Sequence, residues 1–156
     1  MNNNNYQALN EQFLIHTDST QFNIISIHTF LSSESYWAKN IPFETVKKSI
    51  DNSLCFGVFS IENANAHKQI GFARLVTDYA TFAYLCDVYI EKEYRGKGLS
   101  KWLMQVIHAH PNVQGIRRWM LVTKDAQSLY KQFNWQMIPE EMLTKMMQIH
   151  QPDIYI

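Results

Sequence analysis

The sequence is poor in cysteine, glycine and proline, and neither charge is in excess. Its two cysteines, Cys55 and Cys86, stand far apart and form no CxxC pair, which argues against a zinc ribbon or a thioredoxin-like motif. Both lie in apolar, strand-like runs and read as buried free thiols of a reducing cytoplasm. Lys+Arg and Asp+Glu each number 14, so the basic excess of a general nucleic-acid binder is missing. No apolar run approaches the ~18 residues of a membrane span. Residues Met1 to Asn5 form a polar run with no basic start and no apolar stretch, so no signal peptide is expected there, and residues 1–6 are expected to fray. There is no internal repeat and no linker rich in Pro, Gly or Ser. Residues 1–156 are therefore read as a single cytoplasmic domain without nucleic acid, membrane or metal as a partner.

Hydrophobic residues make up 46% of the chain and charged residues 18%, a globular composition. Phe13 to Thr17 reads as a first strand. Ile24, Ile27, His28 and Leu31 suit a helix face, and a second helix is expected over Glu44 to Ile50. Between them, Ser32 to Pro42 is an aromatic loop carrying Tyr36 and Trp37. Leu54 to Ser60 and Gln69 to Thr77 read as a hairpin and Phe82 to Ile90 as a third strand, an antiparallel meander. Leu99, Trp102, Leu103, Val106 and Ile107 make one apolar helix face that ends before Pro111. Arg118 to Thr123 is a further strand. Ala126, Leu129, Tyr130 and Phe133 mark another helix with Asp125 at its start. Trp135 to Ile138 and Lys145 to His150 are expected as a closing pair of strands. The order β-α-α-β-β-β-α-β-α-β-β predicts an α/β (α+β) fold with a mixed sheet and helices on its faces. His108 and His110, two apart at a helix end, cannot face one metal and receive no role.

The informative stretch is the loop Arg95-Gly96-Lys97-Gly98-Leu99-Ser100 between a strand and a helix. Small residues at 96, 98 and 100 let the backbone approach a ligand with converging N–H groups. The helix start adds unpaired donors and the positive end of its dipole, and Arg95 and Lys97 add charge. Together these predict a phosphate or pyrophosphate site. A Walker A loop, G-x-x-x-x-G-K-S/T, and a dinucleotide fingerprint, G-x-G-x-x-G, both fail by spacing. A tight solvated turn without a ligand is the plain alternative.

The loop resembles the cofactor loop of the GNAT superfamily of N-acetyltransferases, R/Q-x-x-G-x-G/A, with Arg95, Gly98 and Ser100 in the marked places. Ser100 departs from Gly or Ala but is small. Val88 to Tyr94 precedes the loop as the family's strand does. Some thirty residues later, Asp125 to Trp135 resembles the second family motif, A-x-x-x-Y-x-x-x-G-F/Y. Ala126 and Tyr130 match. Asn134 replaces the glycine and is the next-best residue for a left-handed helix end; Trp135 replaces the final aromatic. The resemblance covers roughly residues 54 to 138. It implies a mostly antiparallel sheet of about six to seven strands with about four helices.

The resemblance further implies an acetyl-CoA-dependent N-acetyltransferase acting by direct attack of a primary amine, with acetyl-CoA and that amine as partners, no metal, and a homodimer by analogy. Acetyl-CoA would bind over Arg95, Gly96, Lys97, Gly98, Leu99 and Ser100, its pantetheine arm lying along Val88, Tyr89 and Ile90. Tyr130 matches the family's proton donor; its other reading is a core aromatic. Asp87, an acid inside an apolar strand, needs a task or a partner. It is either the base, acting through water or holding the ammonium, or a structural pair with Arg74, Arg117 or Arg118. Tyr36, Trp37, Tyr79 and Tyr84 are the candidate acceptor-binding residues, against a reading as ordinary aromatics. A catalytically inactive acyl-CoA-binding sensor of the same fold is the rival function, and a nucleotide-binding domain a third.

Overall fold

Leu54–Asn63 (β3) is buried on both sides, with Phe56 and Val58 on one face and Cys55 and Phe59 on the other. A strand so covered belongs at the centre of a sheet with helices on both faces. In the computed structural model, which describes residues 5–156, that sheet has six strands in the order of the sequence: Gln7–Asn10 (β1), Phe13–His16 (β2), β3, Ala66–Thr77 (β4), Phe82–Ile90 (β5) and Arg118–Met120 (β6). All neighbours are antiparallel except β5 and β6, which run parallel. The expected mixed, mostly antiparallel sheet is the one observed.

One face carries Ile24–Thr29 (α1) and Phe43–Asp51 (α2), whose Ile27, Val46 and Ile50 pack on Leu14, Phe59, Phe72 and Tyr89. The other carries Leu99–Ala109 (α3), with Leu103, Met104 and Ile107 fully buried against Phe56, Val58, Ile70 and Leu85. Gln127–Lys131 (α4) adds Tyr130 to that second core. The period-3.6 and period-2 patterns therefore located α1 to α3 and β2 to β5 within a few residues.

Four expectations are corrected. The N-terminal hairpin β1–β2 was not expected; it closes through Glu11 at φ 52, and the turn signal, Asn10 before a charged residue, is weak. Tyr6 is half-buried and its N–H donates to Thr17 Oγ1 at 3.0 Å; of the residues expected to fray, 1–4 lie outside the described residues. The two closing strands do not form. Pro139 instead heads the single turn Glu140–Leu143 (α5), as a residue with fixed φ and no N–H favours a helix start over a ladder. Met147 and Ile149 then stand 98% and 95% exposed, because an alternating pattern makes a strand only where an edge is there to pair with. Finally, α4 is not capped by Asp125: Thr123 Oγ1 accepts the Ala126 N–H at 3.1 Å.

Candidate active site

The loop after β5 turns through two left-handed glycines, Gly96 at φ 78 and Gly98 at φ 76, the latter capping α3. A Cβ at either position would meet nothing within 4 Å. The glycines are thus required by backbone conformation, and the turn faces open space. The first helical bond runs from the Trp102 N–H to the Gly98 carbonyl. Ahead of it, the N–H groups of residues 96–101 have no protein acceptor among the described residues. Buried Leu99 anchors this end of α3 in the core. Arg95 turns back, its Nε donating to the Ile90 carbonyl at 2.9 Å, so its side chain braces the strand end. Lys97 lies over the Tyr94 ring at 5.6 Å. A row of free N–H donors at a helix start is what a pyrophosphate requires.

β6 pairs only with Phe82, Ala83 and Tyr84. From Leu85 to Ile90, the β5 edge on that side has no strand partner among the described residues. β5 also bulges: two steps on β4, from Phe72 to Arg74, face three on β5, from Cys86 to Tyr89. The bulge holds Asp87 at φ 54 and locally interrupts the ladder to β4. Along it, Val88 and Ile90 pack toward α3, whereas buried Tyr89 points to the opposite face and stacks on Phe30 at 3.7 Å.

Asp87 is 9% exposed and fully partnered. Oδ2 accepts from Arg74 Nε at 2.6 Å and Oδ1 from the Trp37 indole N–H at 3.0 Å. Of the three arginines weighed as its partner, Arg74, opposite Cys86 on β4, is the one that reaches it. Tyr130 is buried in the α3–α4 core, and burial, with Tyr36 nearby, pushes its phenol up to about 12. It lines a 280 Å³ cavity with Leu121, Thr123 and Gln127. A larger one, of 480 Å³, sits between His108, Trp119 and Trp135, the His108 end of α3, and touches none of the expected site residues. Tyr36 and Trp37 are 56% and 42% exposed and pack edge-to-face. Tyr84 is half-buried near Arg74 and Asp87, and Tyr79 is exposed in the β4–β5 turn at φ 60. Both cysteines are free; burial pushes the Cys86 thiol up to about 12 and that of Cys55 higher still.

The profile of the GNAT acetyltransferase domain matches residues 55–137, the span that holds the bulge, the loop and Tyr130. The chain belongs to the GNAT acetyltransferases. A protein of Gibberella zeae named as a candidate acetyltransferase is 30% identical over 135 residues, 76% of this chain and 75% of its own. A solved GNAT-family structure from Xanthomonas campestris is 42% identical with a TM-score of 0.84, covering 92% of this chain and 96% of that one. A fold neighbour from Clostridium acetobutylicum, solved with acetyl-CoA, has a TM-score of 0.59 at 17% identity over 81% of this chain and 87% of its own.

In this GNAT domain, Tyr36 and Trp37 fall outside the matched span, in the segment between α1 and α2. Sequence reasoning placed Trp37 near the acceptor but missed its hydrogen bond to Asp87, made across 50 residues of chain. It also missed Phe30 beneath Tyr89. Neither contact has a local signal, since both depend on how the α1 layer lies over the bulge.

Proposed function

We propose that residues 1–156 form one acetyltransferase domain that moves the acetyl group of acetyl-CoA to a primary amine by direct attack on the thioester. The observation that carries this reading is the continuity of two unpartnered backbone surfaces. The free β5 edge at Val88 to Ile90 is followed, after the single turn Lys92–Tyr94, by the donor-rich loop at residues 96–100. A pantetheine arm carries amide groups that suit a strand edge, and the pyrophosphate that follows it suits a helix start. The left-handed glycines leave the room that such a ligand needs.

The free amine adds to the thioester carbonyl, the C–S bond breaks, and the CoA thiolate leaves while the amine sheds its proton. A phenol at about 12 is a weaker acid than a thiol at ~8.5. Tyr130 therefore acts by donating a hydrogen bond to the sulfur as charge develops on it, and solvent completes the protonation. Water at the mouth of the strand gap takes the ammonium proton. Tyr36, Trp37, Tyr79 and Tyr84 form an aromatic surround for the acceptor. Unfolding scans with acetyl-CoA, ATP and NAD test the reading. At ~100 times the dissociation constant a ligand adds about 2.7 kcal/mol, so stabilisation by acetyl-CoA alone is expected. Stabilisation by ATP or NAD instead would overturn it.

A further inference from the structure

Asp87 sits in a backbone conformation that a side-chain-bearing residue keeps only when its surroundings hold it there. Two donors from different layers do so: the Trp37 indole on the loop after α1 and the Arg74 guanidinium on β4. Arg74 is itself steadied, its second arm donating to Ser53 Oγ at 3.3 Å. On the other side of Val88, Tyr89 is clamped by the stack on Phe30, and Phe30 in turn lies 6.4 Å from Trp37. Val88 is thus gripped between two contacts that both originate in residues 30–37.

The free β5 edge that the reading above assigns to the donor begins at this bulge. A loop that fixes Asp87 and Tyr89 also fixes the main chain of Val88 between them. Both carboxylate oxygens of Asp87 are engaged by protein donors, Oδ1 by the Trp37 indole and Oδ2 by the Arg74 guanidinium.

Resting on that reading, we propose that Trp37 is a positioning residue for acetyl transfer. Through Asp87 it sets the β5 bulge on which the acyl donor lies, and Asp87 is the anchor of that bulge rather than the base for the amine. The acceptor loop and the donor strand are then coupled through Trp37, and a change at that residue is felt as a change in donor binding.

The test compares the parent protein with Trp37→Phe, Asp87→Asn and the double variant. Phenylalanine keeps the packing on Phe30 and removes the donor. An Asn carboxamide cannot accept from both Arg74 and Trp37. Acetyl-CoA affinity is read by calorimetry and turnover by thiol release. Each single variant is expected to weaken acetyl-CoA binding by roughly tenfold, the scale of one hydrogen bond to a charged group. The double variant should be no worse than Asp87→Asn alone, since both act through one bond. The rise of kcat/KM with pH should survive in Asp87→Asn, because it reports the acceptor ammonium. The groups facing Asp87 are Arg74 on β4, Cys55 on β3, and Tyr84, Cys86 and Tyr89 on β5. The thiols and phenols among them are pushed upward by burial, so none supplies an acid limb.

Parent-like acetyl-CoA binding in Asp87→Asn with loss of that limb would make Asp87 the base and overturn the proposal. So would a Trp37→Phe variant indistinguishable from the parent; this variant carries the test alone if Asp87→Asn fails to fold. A third readout needs no ligand. One of the four tryptophan indole N–H resonances, assigned to Trp37 by its loss in Trp37→Phe, should move in Asp87→Asn, and an unmoved resonance would refute the anchor. Failure of the parent to bind acetyl-CoA would instead overturn the functional reading and leave the indole result standing.

Discussion

The hydroxyl of Tyr36 accepts the backbone N–H of Lys124 at 3.0 Å, joining two points 88 residues apart. The bond ties the loop after α1 to the segment between β6 and α4, across the gap where β5 and β6 part. Lys124 also lies over the Tyr36 ring at 5.7 Å. Tyr36→Phe keeps the ring and loses the acceptor. At this exposed site we expect a stability loss of about 0.5–1 kcal/mol, a raised KM for the amine, and unchanged acetyl-CoA affinity. Melting curves and steady-state kinetics check all three.

Tyr130→Phe separates chemistry from packing. No hydrogen bond contributes to the raised phenol value, so removing the oxygen should leave stability within about 0.5 kcal/mol. Turnover should fall by about 10²–10³-fold, the effect of losing one donor to developing charge, with acetyl-CoA binding intact. A phenol at about 12 stays protonated throughout the assay range, so no descending limb is expected up to pH ~10. A parent-like kcat in the variant would reduce Tyr130 to a core aromatic.

Gly96 and Gly98 both hold positive φ with open space around them. Gly96→Ala should cost the fold only about 1–2 kcal/mol, the price of a left-handed alanine, while its methyl group intrudes where the donor approaches. Acetyl-CoA affinity should therefore drop by more than the stability loss alone suggests. Calorimetry on the folded variant measures the difference.

Burial lowers the pKa of His16, His108 and His110 below the ordinary imidazole value of 6.5. Their neutral forms are used in packing: His108 Nε2 accepts from the Trp135 indole at 3.2 Å, and His110 Nδ1 from the Asn112 N–H at 3.2 Å. The unfolded chain binds these protons more readily than the folded one. The histidine contribution is complete above the unfolded value and is lost as pH falls below about 6.5 toward the folded values. The melting temperature should drop between pH 7 and 5. Replacing His108 with Gln, neutral at every pH, should flatten part of that slope.

Asn134 stands at φ 65 just beyond α4, with the Trp135 N–H returning to the Tyr130 carbonyl at 3.4 Å. Asn134→Ala should cost about 1 kcal/mol and Asn134→Gly close to nothing. Chemical denaturation distinguishes the two.

What the sequence disclosed was what local chemistry dictates. The glycine spacing, the run before it and the Asn at position 134 each demand a particular backbone, and that backbone is present. Helix faces and central strands were evident from their periods. The bulge at Asp87 showed only as an acid in an apolar strand; Arg74 was among the three arginines weighed as its partner, and Trp37 was not foreseen. Arg74 reaches it from the neighbouring strand β4, and Trp37 from the layer above, a contact set by the stacking of α1 on the sheet. The closing strands failed for a similar reason: Lys145 to His150 alternates as a strand would, but pairing depends on a distant edge.

The two free cysteines, Cys55 buried and Cys86 half-buried, have a practical consequence. Neither Cys55 nor Cys86 carries an appreciable thiolate population at neutral pH, and the thiolate is the reactive form. A colorimetric thiol reagent added to the native protein will therefore detect liberated CoA against a silent background. The same reagent, used without substrate, becomes a clock for the sheet. Its slow colour development reports how often β3 and β5 open enough to bare a sulfur, and a ligand lying along β5 should slow that clock.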